Sequence, residues 1–530
     1  MNRLATEKAA YLRHAARQNI NWYPWSDEAF QRAKEEDKPV FLSSGAVWCH
    51  WCHVMAKESF EDEEVVRLLN NHCINIKLDR DERPDVDRVY QQAVAAMGSG
   101  GGWPLSVFLT PDGKPFFGGT YFPPEDSAGR PGFKKVIRNV VDFYQTKKSE
   151  IAEYTQRLSE FLVPKEGPGG NLEAPSIDGA VSAILSEFDP QHGGFGTAPK
   201  FPMPGAIEFL MNQFAMFHKE SAGYAVRKTL EGMAKGGFHD HLGGGFHRYS
   251  VDEAWIVPHF EKMTEDNAWL LKNYSQAYHL FRDDLFREVA LGIIGFVSNV
   301  LSDHEGGFYA SQDADVTPLD EGGYFTWTDD DFRRVLSDQE YPVLSSHLFH
   351  DRGSMPHDRL KKVLFIAQEP AEIAQSMHMD VEAVIHIIKG GKEKLLRERE
   401  GRKPPFLDTT LYTSLNSLMI SAYFKAYKVF RDDALKTFAL RSLERIKKSR
   451  LIQGELFHSD GVLGNLDDYI HSIDAFIGAY EVVGDAQYLR HADELMDLCI
   501  EKFWDSSGGF FDMGNEIIGI RLKGMEDLPH

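Results

Sequence analysis

The stretch Val47-Trp48-Cys49-His50-Trp51-Cys52-His53-Val54-Met55 decides how the first third of the chain is read. It follows Pro39-Val40-Phe41-Leu42-Ser43, an apolar run of strand length. It opens a helical pattern that continues through Phe60, Val65, Val66 and Leu69. A thiol at a helix N-terminus meets free N–H groups and the positive end of the dipole, and both favour thiolate. The placement predicts Cys49 at an exposed turn as the attacking thiolate, and Cys52 one turn in as the resolving thiol. His50 and His53 stand where they tune the thiolate or shuttle protons, and Trp48 fits the surface around such a site. The alternative is a metal site: Cys49 and Cys52 with His50, His53, His72 or Cys73 would make a tetrahedral zinc set. Structural zinc usually takes two spaced ligand pairs, and the second pair is missing, so the main reading carries no cofactor. Cys73 and Cys499 read as buried.

Outward from this stretch, strand and helix signals alternate. A short helix over 27–34 is capped by Ser26. Ile74 to Leu78 alternates as a strand, and Pro84 to Met97 reads as a helix with proline in its first turn. A glycine-rich break at 98–102 leads to Trp103-Pro104 and the strand 104–109. Asp112-Gly113 signals a hairpin, and one long helix over 133–162 closes the unit. Strand, Cys-x-x-Cys, helix, strand, helix, X-Pro, strand, hairpin and helix is the order of a thioredoxin-like fold. In such folds a cis-proline faces the cysteine turn, and Pro104 is assigned that shaping role.

This gives an α/β thioredoxin-like domain over 1–163, a Pro/Gly-rich linker over 164–175 and a helical domain over 176–530. The helical part shows long amphipathic stretches near 177–188, 204–219, 222–235, 259–281, 283–302, 379–399, 408–430, 432–449, 465–483 and 486–503. Between them a glycine-aromatic element recurs, at Gly193-Gly194-Phe195, Gly237-Phe238, Gly244-Gly245-Phe246, Gly306-Gly307-Phe308, Gly322-Gly323-Tyr324 and Gly508-Gly509-Phe510. Its spacing is too irregular for a solenoid of fixed period. It fits helical hairpins whose connections gather at one end of a closed toroid, or simply helix C-caps.

The densest polar chemistry lies over 236–266. Arg248, Tyr249, Trp255, His259 and Glu261, with Asp313, Asp315, Trp327, Asp467 and Asp468 further on, are expected to line one pocket in the toroid. Aromatic faces, acids, bases and one bidentate donor form the mixture that a sugar-like polyol needs. Asp313 and Asp315 would share a face on a strand, and His259 is expected at a helix start.

Charge and composition exclude several classes. With 58 Lys+Arg against 80 Asp+Glu, the net charge of −22 disfavours nucleic acid. No apolar run approaches the ~20 residues that span a bilayer, so no membrane partner is expected. Four cysteines are too few for a disulfide scaffold, and a cytoplasmic location is expected. The expected partners are a small sugar-like molecule and a redox protein.

The chain resembles the YyaL/spermatogenesis-associated protein 20 family of thioredoxin-domain proteins. The resemblance rests on Asn2-Arg3-Leu4, Trp22-Tyr23-Pro24-Trp25, 49–55, Glu58-Ser59-Phe60, Asp79 to Pro84 and Gly102-Trp103-Pro104-Leu105. It continues through Gly244 to Ser250, Pro258 to Met263 and Leu466-Asp467-Asp468-Tyr469. It implies a thioredoxin-like domain followed by an all-α (α/α)6 toroid, as in six-hairpin glycosidases and N-acylglucosamine 2-epimerases. Leu415-Asn416-Ser417 stands where the family has Trp-Asn-Gly. A tally of about eleven long helices suggests a toroid lacking its last helix. The implied function is a thiol-disulfide redox protein fused to a sugar-binding or sugar-modifying toroid. On the zinc alternative, the toroid is a carbohydrate epimerase- or hydrolase-like module, or a non-catalytic binding one.

Overall fold

The computed structural model describes residues 2–127, 129–163, 174–317 and 320–523. Helix α1 (Ala10–Ala15) precedes β1 (Trp22–Tyr23), α2 (Asp27–Glu36), β2 (Val40–Gly45), α3 (His50–Glu58), α4 (Glu63–His72) and β3 (Ile74–Asp79). Helix α5 (Pro84–Ala96), β4 (Leu105–Leu109), β5 (Pro115–Gly119), α6 (Phe133–Thr146) and α7 (Lys148–Leu162) follow. The strands form one sheet in the order β1-β3-β2-β4-β5. β1 and β2 run parallel to β3, while β4 runs antiparallel to both β2 and β5. The single helix expected over 133–162 is two helices, because the backbone leaves helical geometry at Lys147 (φ −128°, ψ 36°).

Both faces of the sheet are covered, and the alternation of side chains assigns each residue to a core. Val40, Leu42, Ile74, Ile76, Leu105 and Val107 face α2, α5 and α7. Phe41 and Phe108 face α1, α3, α4 and α6. Met513, Ile517, Ile520 and Leu522, from the far end of the described chain, complete the first of these cores. The linker expected at 164–175 lies outside the described residues except for 174–175, which begin α8 (Ala174–Ser186).

After α8 come α9 (Pro204–Phe217), α10 (Glu220–Lys235), the short strands β6 (Tyr249–Ser250), β7 (Pro258–His259) and β8 (Lys262–Met263), then α11 (Thr264–Phe281), α12 (Asp284–Asn299) and β9 (Ser311–Gln312). Next are α13 (Asp329–Val335), α14 (Glu340–Leu348), α15 (Pro370–Met377), α16 (Val381–Glu400) and β10 (Leu407–Asp408). The chain continues through α17 (Thr413–Phe430), α18 (Asp433–Arg450), β11 (Leu451–Ile452), β12 (Glu455–Ser459), β13 (Val462–Leu463), α19 (Leu466–Val483) and α20 (Ala486–Phe503).

The pairs α9/α10, α11/α12, α17/α18 and α19/α20 are antiparallel hairpins built by one local device. The first helix of each stops at a left-handed residue: His218, Arg282, Arg431 or Gly484. In the last three, an aspartate follows (Asp283, Asp432, Asp485) and caps the next helix by accepting its N–H at i+2. The helices α9, α11, α17 and α19 pack in that order as an inner row, each backed by its partner. The opposite ends use the glycine-aromatic loops. In four of them an aspartate N–H (Asp189, Asp240, Asp303, Asp505) donates to the carbonyl of the second glycine. The phenylalanines Phe246 and Phe308 that follow are fully buried. Asn267 and Asn416 accept the N–H of Phe246 and Phe308, so Asn416 serves the packing of a loop.

The tally of about eleven toroid helices is corrected. Helix α16 does not join the inner row. With α13, α14 and α15 it forms a satellite with its own core around Phe332, Leu344, Val384 and Leu395. Among the described residues, the toroid comprises α8 and the four hairpins.

A Cβ on Gly45, at the end of β2, would stand under 3.0 Å from both Tyr11 Oη and Cys52 Sγ, whereas one on Gly390 in α16 meets nothing. Gly45→Ala is therefore expected to destabilise by about 1–3 kcal/mol. Gly390→Ala is expected to stabilise by roughly 0.5–1 kcal/mol. Thermal denaturation of the two variants should shift in opposite directions.

Candidate functional site at the junction of the two parts

Cys49 is the N-cap of α3, and its sulfur accepts the Cys52 N–H at 3.1 Å. The two sulfurs lie at disulfide distance, with Cα atoms 5.2 Å apart. The Trp103-Pro104 bond is cis. Trp48 and Trp103 meet edge to face at 5.7 Å, tied down by Trp48 Nε1 to Asp81 (2.7 Å) and Trp103 Nε1 to Asp87 (3.1 Å). The expected exposed turn is not found: Cys49 is 4% and Cys52 2% exposed, and residues of the helical part lie against their neighbours His50, His53 and Trp48.

The cover comes from the loop after β9. Asp315 Oδ2 lies 2.6 Å from His50 Nδ1, and Asp313 Oδ2 lies 3.0 Å from His53 Nε2. Two carboxylates two residues apart thus meet two imidazoles three residues apart on one helix. His53 Nε2 also lies 2.7 Å from the Val47 carbonyl. Burial opposes charge on both imidazoles, but the bonds and charges of Asp315 and Asp313 outweigh it and raise both pKa values above the ordinary histidine range. His259 Nδ1 lies 3.2 Å from Glu321 and 3.3 Å from Glu261. Burial pulls its pKa down, and the two carboxylates lift it above the ordinary value. His259 lies in β7, not at the helix start expected for it.

Seven of the ten expected pocket residues converge here. Arg248 stacks over Trp48 at 4.1 Å and Trp103 at 5.2 Å. Tyr249 lies between Phe201 (4.7 Å) and His259 (4.6 Å). Glu261, Asp313 and Asp315 stand as described, and Asp467 pairs with Arg88 of α5. The other three belong elsewhere. Trp255 is fully buried at positive φ, its indole donating to the Gly193 carbonyl and packing on Phe238. Trp327 is buried in the satellite core under Arg402. Asp468 is spent on structure, accepting from Asn465 and Ser414 and pairing with His458.

Several junction residues were not singled out from the sequence. Arg80 lies 4.7 Å from the Trp103 ring, Glu321 reaches His259, and His458 Nε2 lies 2.7 Å from the Asp81 carbonyl. Asp266, which closes the polar stretch read over 236–266, has both carboxylate oxygens buried without a hydrogen bond, and burial pushes its pKa well above the carboxylate range. Beneath the disulfide, Lys77 donates to Ser43 Oγ at 3.2 Å and lies over the Tyr11 ring at 4.6 Å. Burial lowers Lys77 to about 7. Asp266 and Arg80 follow recognisable motifs, but His458 carries no local signal. Among the described residues, no three or more His, Cys, Asp or Glu side chains are placed to hold a metal ion.

Comparison with known proteins gives this geometry a context. Residues 1–163 match the family described as a protein of unknown function, DUF255. Human spermatogenesis-associated protein 20 is 37% identical over 577 residues, covering 99% of this chain and 73% of that protein. An uncharacterized protein of Caenorhabditis elegans is also 37% identical, over 563 residues, covering 98% of this chain and 77% of its own. Among solved structures, a sugar epimerase from a ruminal bacterium aligns at 15% identity and TM-score 0.33, over 66% of this chain and 94% of that one. A family 76 glycoside hydrolase from a bovine Bacteroides thetaiotaomicron strain aligns at 12% and TM-score 0.40, over 70% and 60%. On the extent of the match to the human and nematode proteins, this chain belongs to the spermatogenesis-associated protein 20 family.

Proposed function

We propose that the chain is a thiol-disulfide oxidoreductase whose redox centre is completed by the helical part. The observation that carries this reading is the Cys49–Cys52 pair at the N-terminus of α3. In the reduced protein the Cys49 thiolate attacks a substrate disulfide and forms a mixed disulfide. Cys52 then attacks Cys49 Sγ and releases the second substrate thiolate, so two electrons pass to the substrate. Helix α3 directs its N-terminal N–H groups and dipole at Cys49, which favours the thiolate. His50, adjacent to Cys49 and with its charged form favoured by Asp315, is the proton donor to the leaving thiolate. Pro104 and Trp103 shape the wall beside the cysteines.

A second reading concerns the toroid. The inner row is bridged by Lys272–Asp474 and Lys425–Glu208, and Trp269 faces His471 at 6.1 Å. Arg88 and Asp467 at the junction keep about a third of their side chains open to water (36% and 35%). An aromatic face among paired acids and bases supports a polyol, sugar-like ligand. In a thermal-shift screen of mono- and disaccharides, a ligand that stabilises the chain, and does so less with His259→Ala or Asp313→Ala, supports this. No shift with any sugar removes it.

Two outcomes test the redox reading. Cys52→Ser should accumulate mixed disulfides that Cys49→Ser does not, seen by mass spectrometry under non-reducing conditions. Equal trapping by both variants overturns the roles. The second outcome is pH-dependent. The His50 and His53 pKa values are raised in the folded protein. Their pairs therefore contribute fully below the unfolded histidine value of about 6.5 and are lost as pH rises through the higher folded values. His14, His259, Glu261 and Glu321 also face these groups. Hydrogen exchange of the segment around Asp313 and Asp315 should accelerate beyond its intrinsic rate as pH rises above about 6.5. Asp315→Asn should flatten that dependence.

A further inference from the structure

We infer that the redox centre exchanges electrons with low-molecular-weight disulfides and thiols, and that the helical part excludes polypeptide disulfides from it. This rests on the redox reading above. An attacking sulfur must be reached along the axis of the substrate's S–S bond, and even one extended strand needs about 5 Å of clear width. That width is closed on two sides. The Trp48–Trp103 wall is covered by the Arg248 guanidinium at 4.1 and 5.2 Å, and by Arg80 at 4.7 Å from Trp103. The α3 side is closed by the Asp315–His50 and Asp313–His53 pairs. Both sulfurs are consequently buried.

The partly exposed groups nearest the pair are Trp51 at 41%, the Glu321 side chain at 22% and the His50 ring at 11%, while Cys49 itself is 4% exposed. Access past so few partly exposed groups suits a molecule of a few heavy atoms on each sulfur. The Cys49 thiolate forms a bond to one substrate sulfur as the substrate S–S bond breaks, and the first thiolate leaves with the proton that His50 donates and later regains from solvent. Cys52 loses its proton and attacks Cys49 Sγ, and the second thiolate leaves with that proton. The small disulfide is reduced to two thiols, and the protein is oxidised to the Cys49–Cys52 disulfide. A small dithiol returns both electrons by the reverse exchanges.

The test uses the full chain, reduced with dithiothreitol and desalted, then mixed with 2-hydroxyethyl disulfide or with insulin. Formation of the Cys49–Cys52 disulfide is followed by differential alkylation. The expected result is oxidation by the small disulfide at least about a hundredfold faster than by insulin at equal disulfide concentration. Arg248→Ala should raise the ratio of insulin rate to small-disulfide rate by about tenfold. A second measurement needs no variant: iodoacetamide should label Cys49 of the reduced native chain, and a polyethylene glycol maleimide should not. Comparable rates with insulin, or labelling by both reagents, would overturn the size restriction and leave the redox reading standing. Oxidation by neither disulfide would remove the redox reading and this inference with it.

Discussion

The junction depends on one match of spacings. An extended segment presents Asp313 and Asp315 two residues apart, and the first turn of α3 presents His50 and His53 three residues apart. Burying four ionisable groups costs several kcal/mol of lost hydration each, and only short, well-directed pairs offset it. The surrounding structure fixes both sides of the match. Residues 311–312 are held in a small sheet between β8 and β10, which sets where the chain leaves toward Asp313. Residues 49–53 are held by the end of β2 and by the Val47 carbonyl, which shares His53 Nε2 with Asp313. A shift of one residue on either side would leave charges buried without partners.

The toroid supplies the rigidity this requires. Its hairpins turn by a left-handed residue followed, in three of four, by a capping aspartate, and its other end is braced by the Asp-to-glycine loops. The first device recurs almost literally as Phe281-Arg282-Asp283-Asp284 and Phe430-Arg431-Asp432-Asp433. Repeating a local solution places the inner helices at similar heights. The strands β6 to β10 then emerge at one end, which is the end that meets α3 and α5.

The thioredoxin-like order was legible because each element carries a local signal: an apolar run, a capped helix, a glycine break or an X-Pro step. The helical class was legible for the same reason. Membership in the toroid was not, because α16 is as amphipathic as its neighbours and only contacts with α13 to α15 reveal its separate core. The pocket list shows the same division. Arg248, His259, Asp313 and Asp315, which the structure brings together, were legible as polar clusters on loops. Trp255 and Trp327 were misplaced because an aromatic residue near a polar loop cluster packs as readily into a core as into a pocket. Burial of the cysteines was invisible, since the covering residues lie some 260 positions away.

The thioredoxin-like part is also held on the face opposite the disulfide, where Met513, Ile517, Ile520 and Leu522 complete the core against β2, β3 and α5. A domain that exchanged thiols by docking freely onto large partners would keep its cysteine face bare and its core self-contained. Here the cysteine face is covered by paired charges, and the opposite core is finished by the far end of the described chain. The covering loop and the cysteine turn share buried ion pairs. Any change in the charge of α3's first turn therefore alters how firmly that loop is held, and the two parts of the chain form one thermodynamic unit.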